Sequence, residues 1–210
     1  MDRHPAGLMS FGMQQARAFF APLTGRTTTF LLEDREANLG FASTIMGLLA
    51  QTGDTCAVVD LDAFYSSNSD RIFGALDQPA ARATAVRVPE PGADIEGEFS
   101  AIFEAPQKTL IMDSLNSFYH LVSQEDGSSR SRKLMFAVAS LSYFARVNGK
   151  VVIFSMYRRE GFTRGGTGRS ISSLSDMTAS VDVRGEEMTV RRERGSGWPG
   201  GRFSIRIPSG

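Results

Sequence analysis

Apolar residues in this chain fall into short blocks separated by polar and turn-forming stretches. TTTFLL (27–32), TCAVVDLD (55–62), ATAVRV (83–88), KTLIMD (108–113) and KVVIFSM (150–156) are runs of strand length, rich in β-branched and apolar residues. Continuous apolar runs of that length predict strands buried on both faces. The segments between them carry helix-like spacing. MSFGMQQARAFF (9–20) predicts a leading helix, ended by Pro22 and Gly25. LGFASTIMGLL (39–49) predicts a second, stopped at Gly53. Shorter helices are expected in SSNSDRIFGAL and over about 93–104, and a longer one over 132–147 with Leu134, Val138, Leu141 and Phe144 on one face. SQEDGSSRSR (123–132) reads as a polar loop. From Asp176 the pattern changes to strand, turn, strand, Gly/Pro turn, strand, which predicts an antiparallel meander.

Strands alternating with helices imply an α/β fold, a mostly parallel sheet covered by helices on both faces. With 210 residues, 41% of them hydrophobic, the chain can bury the core of one substantial domain. The apolar runs fall short of a membrane span, and MDRHPAGLMS lacks the basic-then-apolar order of a secretory signal. A single cysteine, Cys56, excludes an intramolecular disulfide; it opens CAVVD and is expected as a buried small side chain. The expectation is a cytoplasmic protein with no membrane association. The net charge of zero hides an asymmetry. Residues 1–129 hold 8 Lys/Arg and 17 Asp/Glu, whereas residues 130–210 hold 15 and 6. That polarity points to a polyanionic partner, to head-to-tail assembly, or to two solvated faces that merely differ.

Five stretches in this order resemble the RecA/RadA/KaiC superfamily of ATPase folds over roughly residues 22–208. They are PLTGRTTTFLLE, CAVVDLDAFYSSNSDRI, KTLIMDSLNSF, VVIFSM and WPGGRFSIRI. The resemblance implies a RecA-like P-loop NTPase core at residues 22–210, a mostly parallel twisted sheet with a C-terminal antiparallel β-meander. Residues 1–21 would precede it as a helical segment. It also implies a Walker B-like role for Asp113 and places Asp62 where an acid activates the attacking water.

The phosphate loop departs from that pattern. G-x-x-x-x-G-K-[ST] wraps phosphate oxygens in backbone N–H groups, with lysine neutralising charge and a hydroxyl holding magnesium. Aligned on this chain, the glycines fall at Glu33 and Asn38, the lysine at Leu39 and the hydroxyl at Gly40. Glu33, Asp34 and Glu36 also place negative charge there, and each like-charge pair at ~4 Å costs on the order of 1 kcal/mol in water. Neither nucleotide nor any other cofactor is expected, and Asp113 and Asp62 become vestigial acids that hydrogen-bond locally. Asp34 or Glu36 is expected to satisfy the helix N-terminus in place of ATP. The polar sensor that RadA-like proteins carry near Ser155, Met156 and Tyr157 is read as missing.

In this superfamily two loops contact single-stranded DNA. The first position here holds Arg130, Arg132 and Lys133. The second holds Arg158, Arg159, Arg164 and Arg169, with Tyr157 and Phe162 interleaved and Gly165-Gly166 as a hinge. Arginines suit phosphates and aromatics suit bases. His4 and His120 have no partners at metal-ligand spacing, so no metal site is expected. Trp198 is expected to pack beneath the hairpin. Met9, Phe11, Phe19 and Phe20 either dock on an adjacent subunit or cover their own sheet. These readings imply a non-catalytic RecA/RadA-like paralog, an accessory or assembly factor in recombination or repair. Its partners would be single-stranded nucleic acid and a RadA-type ATPase or other protein, and it is expected to be a homo-oligomer. The alternatives are a KaiC-like or Elongator-like interaction or signalling module, and an ATPase with an unorthodox loop.

Overall fold

The five apolar runs become the first five strands of one sheet. They are β1 (Arg26–Leu32), β2 (Cys56–Asp60), β3 (Thr84–Arg87), β4 (Thr109–Asp113) and β5 (Val151–Tyr157). The C-terminal meander supplies β6 (Met177–Arg184), β7 (Glu187–Arg194) and β8 (Arg202–Arg206). The computed structural model describes residues 12–74, 76, 78–89, 101–104, 106–122, 127–158 and 174–207. Strand order is β3-β2-β4-β5-β1-β6-β7-β8. Pairing is parallel from β3 through β6, then antiparallel for β6–β7 and β7–β8.

The helices are α1 (Met13–Phe20), α2 (Arg35–Thr52), α3 (Phe64–Ser67), α4 (Ser69–Phe73), α5 (Gln78–Arg82), α6 (Leu115–Val122) and α7 (Gly127–Asn148). Two of them differ from the pattern in the sequence. α2 begins at Arg35, a full turn before the apolar periodicity, because Asp34 caps it there. It ends as expected, at Gly53 with φ +68°. α7 begins at Gly127, so residues 127–132, expected as loop, are helical. No proline or second glycine interrupts that stretch, and arginine and lysine are good helix formers.

Each central strand sends alternate residues to opposite layers. Phe30, Leu32, Val58, Ile111 and Ile153 pack with α1 and α2 through Phe19, Phe41, Ile45 and Leu48. Leu31, Val59, Met112, Val152 and Phe154 pack with α6 and α7 through Leu115, Phe118, Val138 and Leu141. Burial on both faces explains the unbroken apolar runs. Cys56 is one of these buried residues, and burial pushes its thiol pKa up. Phe19 and Phe20 are buried too, so they cover the chain's own sheet. Phe19 stacks on Phe30, and the buried Trp198 donates from Nε1 to the Phe19 carbonyl at 3.1 Å. Met9 and Phe11 lie outside the described residues.

At the opposite end of β1, one carboxylate ties three segments together. Asp176 Oδ2 accepts from Thr27 N (2.9 Å), Thr27 Oγ1 (3.0 Å) and Ser142 Oγ (2.9 Å), and Oδ1 pairs with Arg146 at 2.8 Å. Burial alone raises the Asp176 pKa, but these hydrogen bonds outweigh it and hold the carboxyl below its ordinary value. No helix among the described residues is long and apolar enough to cross a membrane.

Candidate functional site

In an open α/β sheet, ligand chemistry gathers at the carboxyl ends of the strands. Here the ends of β1, β2, β4 and β5 lie side by side, with Asp60 in register with Asp113 and Leu32 with Tyr157. Only Glu33 and Asp34 separate β1 from α2. Residues 35–38 are the first turn of α2, which leaves no G-x-x-x-x-G loop between β1 and the helix.

Asp34 Oδ1 accepts the Ala37 amide at 2.8 Å, a side-chain N-cap. Glu36 points elsewhere and pairs with Arg71 at 3.4 Å across the exposed surface. Glu33 is exposed. Of the two carboxylates expected to satisfy this helix start, Asp34 does so.

Asn38 turns inward from the same turn and is completely buried. Its Nδ2 donates to the Tyr157 hydroxyl at 2.8 Å and to both carboxylate oxygens of Asp113 at 3.3 Å. The Ser155 hydroxyl donates to Asp113 from the neighbouring strand. Among the described residues, Asn38 Oδ1 has no hydrogen-bond partner. The chain therefore draws β1–α2, β4 and β5 together with its own side chains. Burial raises the Asp113 pKa to about 7; Asp62 and Asp60 add to the rise, while Ser155 and Asn38 oppose it. Burial, reinforced by Asp113, raises the Tyr157 phenol to about 12.

Leu39 is buried in the apolar layer. Gly40 faces β6, where an added Cβ would stand 2.9 Å from Val183 Cγ1. Both residues have packing reasons to be what they are. Next to them a recess of about 170 Å³ is lined by Arg35, Leu39, Asp62, Phe64, Asn68 and Arg71. It is well below the ~300–1,000 Å³ of ordinary small-molecule pockets.

Asp62 accepts from Ser114 Oγ at 3.0 Å and from the Ser117 hydroxyl, joining β2's end to the start of α6. The following Ala63 has φ +52°, a left-handed conformation that costs a non-glycine residue free energy. Asp60 accepts from the amides of Phe64, Tyr65 and Ser66 and from the Ser66 hydroxyl, so it starts α3. Asn116 brackets the Tyr157 backbone, accepting from its N–H at 2.7 Å and donating to its carbonyl at 3.4 Å.

The structure corrects three sequence expectations. Ser155 and Tyr157 engage Asp113 and Asn38, so the end of β5 is polar after all; two hydroxyl residues two apart in an apolar strand were the available signal. Tyr157 is buried and committed to Asn38, so it offers no face for stacking on a base. Residues 130–133 belong to α7 rather than a loop; Arg132 is exposed there, and the Arg130 and Lys133 side chains lie outside the described residues. Arg158 is ion-paired with Glu193 of β7. Arg159, Phe162, Arg164 and Arg169 lie outside the described residues. Asp60, Asn116, Ser114 and Ser117 went unrecognised, because their partners are distant in sequence or are backbone groups.

A parallel sheet packed on both faces, with an antiparallel extension and polar groups gathered at its strand ends, is the RecA-like fold. The crystal structure of the RadB recombinase shares it with a TM-score of 0.64, at 15% identity over 95% of this chain and 96% of that one. At that identity the likeness is one of fold. No family model and no curated protein matches the sequence.

Proposed function

We propose that this protein is a RecA-like chain that neither binds nor hydrolyses nucleotide. It acts as an accessory or assembly factor in DNA recombination or repair, with single-stranded nucleic acid contacted through its basic segments. One observation carries the first part: residues 35–38 form the capped first turn of α2, and Asn38 occupies Asp113 from inside. Asp34 takes up two of the amides at this helix start, Ala37 N–H with its carboxylate and Asn38 N–H with its carbonyl, and the acid that would orient magnesium accepts from protein donors. Asp34 supplies the negative charge at the helix start. The nucleic-acid part is supported by the arginines at 158, 159, 164 and 169 and by the excess of basic residues after residue 129. The likeness in fold to the RadB recombinase supports recombination as the setting. A RadA-type ATPase or a further copy of this chain is the proposed assembly partner.

Two measurements test the reading. Calorimetry with Mg-ATP is expected to show no binding tighter than a Kd of about 1 mM. A gel shift on single-stranded DNA and RNA is expected to show binding that weakens steeply with salt. It should be lost when Arg158, Arg159 and Arg164 are replaced by alanine. Micromolar ATP affinity overturns the first part. Absence of a shift at low salt overturns the second and leaves a protein-interaction module.

A further inference from the structure

Glu193 is the one acid in the run Arg191-Arg192-Glu193-Arg194, and its carboxylate reaches outside that run. Arg192 lies against Gly201, where an added Cβ would stand 3.4 Å from its Nη2. Arg194 donates to the Ser175 carbonyl. Glu193 pairs instead with Arg158, 35 residues away at the end of β5. A β-bulge aims it there. Between β6 and β7, Ala179 pairs with Arg192 and Thr178 with Arg194, so Glu193 is the extra residue. A bulge of this kind bends its strand and turns a side chain in a new direction. Arg158 leaves the sheet from a fixed point, because Asn116 brackets the Tyr157 backbone and the Arg158 N–H donates to the Leu32 carbonyl at 2.8 Å. The pair is open to solvent, with 38% and 40% of the two side chains exposed.

β5 and β7 are not neighbours; β1 and β6 lie between them. The pair therefore bridges two strands, a reach that sheet pairing does not require. Arg158 is one of the arginines proposed to contact phosphates, and the inference rests on that reading. A carboxylate and a phosphodiester oxygen are alternative acceptors for one guanidinium, each through charge-assisted hydrogen bonds. Phosphate arriving at Arg158 meets a donor fork already engaged and a negative charge beside it. We propose that Glu193 is an internal competitor for the phosphodiester backbone, holding Arg158 toward β7 in the free protein and giving it up when a strand binds. Magnitudes permit the exchange. An exposed ion pair is weak, whereas a nucleic-acid strand offers several phosphates at once and gains from counterion release. Glu193 thus lowers affinity and keeps Arg158 in place without closing the site.

The probes are fluorescein-labelled oligo-dT and oligo-U of about 20 nucleotides, read by anisotropy on the full chain at low salt. Glu193→Gln keeps the side chain's shape and removes its charge, and is expected to tighten binding about fivefold. Glu187→Gln removes the same charge from the same strand, six residues or ~20 Å along it. It should change affinity less than about twofold. In an Arg158→Ala background, Glu193→Gln is likewise expected to shift affinity less than about twofold, because the contested group is gone. Glu193 is exposed, so the urea midpoint of Glu193→Gln should match that of the parent chain. Parent binding that Glu193→Gln does not tighten overturns this inference alone, and a lowered urea midpoint would then make the pair a clasp between strands. Equal gains in Glu193→Gln and Glu187→Gln overturn it as well, since net charge accounts for them. So does a gain that persists without Arg158. Failure of parent and variants to bind either oligonucleotide overturns the nucleic-acid reading and this inference together.

Discussion

Asp113 is the residue on which the strand-end cluster turns. Its pKa of about 7 lies well above the ordinary 3.8, because burial penalises the carboxylate more than Ser155 and Asn38 favour it. The native state therefore prefers the protonated form. This group's contribution to stability is full below pH 3.8 and is lost as pH rises through about 7. A shift of this size corresponds to on the order of 4 kcal/mol. Denaturation midpoints are expected to fall as pH rises from about 4 to about 7 and to level off above that, and Asp113→Asn should remove most of the fall. An equal slope in the variant would show that other groups carry it. The acid itself was legible in KTLIMD; its proton affinity was not, since that depends on hydrogen bonds from Asn38 of α2 and Ser155 of β5 and on the nearby charge of Asp62 after β2.

At the scale of the element, α2 decides what the site can hold. Its helical pattern and its stop at Gly53 were readable from periodicity and turn chemistry. Its start was not, because Arg35, Glu36 and Asn38, with only Ala37 among them, hide the first turn from any apolar pattern. A hydroxyl placed at residue 40 would not make a phosphate site. Gly40→Thr would drive side-chain atoms into Val183, whose near methyl an added Cβ alone would meet at 2.9 Å. Overpacking of this kind costs about 1–3 kcal/mol. The variant is therefore expected to show a lower denaturation midpoint and no gain in ATP binding, checked by urea titration and calorimetry. α7 shows the converse. Its inward face was anticipated through Val138, Leu141 and Phe144, whereas the exposure of Phe136 and Tyr143 emerges only once the sheet occupies the other side.

Across the whole molecule, the first helix and the last hairpin close the same core. Phe19 of α1 contacts Phe30 of β1, Trp198 and Phe203 of β8, so residues nearly two hundred apart share one aromatic cluster. Phe19→Ala is expected to cost about 3–5 kcal/mol by cavity formation. Met13→Ser, on the exposed side of the same helix, should be close to neutral. A small effect of Phe19→Ala on the urea midpoint would instead make α1 an appendage to the sheet.

Strand runs, helix periodicity, the change to a meander after Asp176 and the absence of a G-x-x-x-x-G-K-[ST] run between β1 and α2 are properties of neighbouring residues, and the chain displayed them unaided. Contacts between distant residues needed the fold. It brings Asn38 to Asp113, Ser155 to the same carboxylate and Ser114 to Asp62, and it leaves one aromatic stripe of α7 uncovered. The physical reason is that local periodicity reports which side of an element is apolar. Which groups meet across a sheet, and how strongly burial shifts their charge, depends on strand order and register.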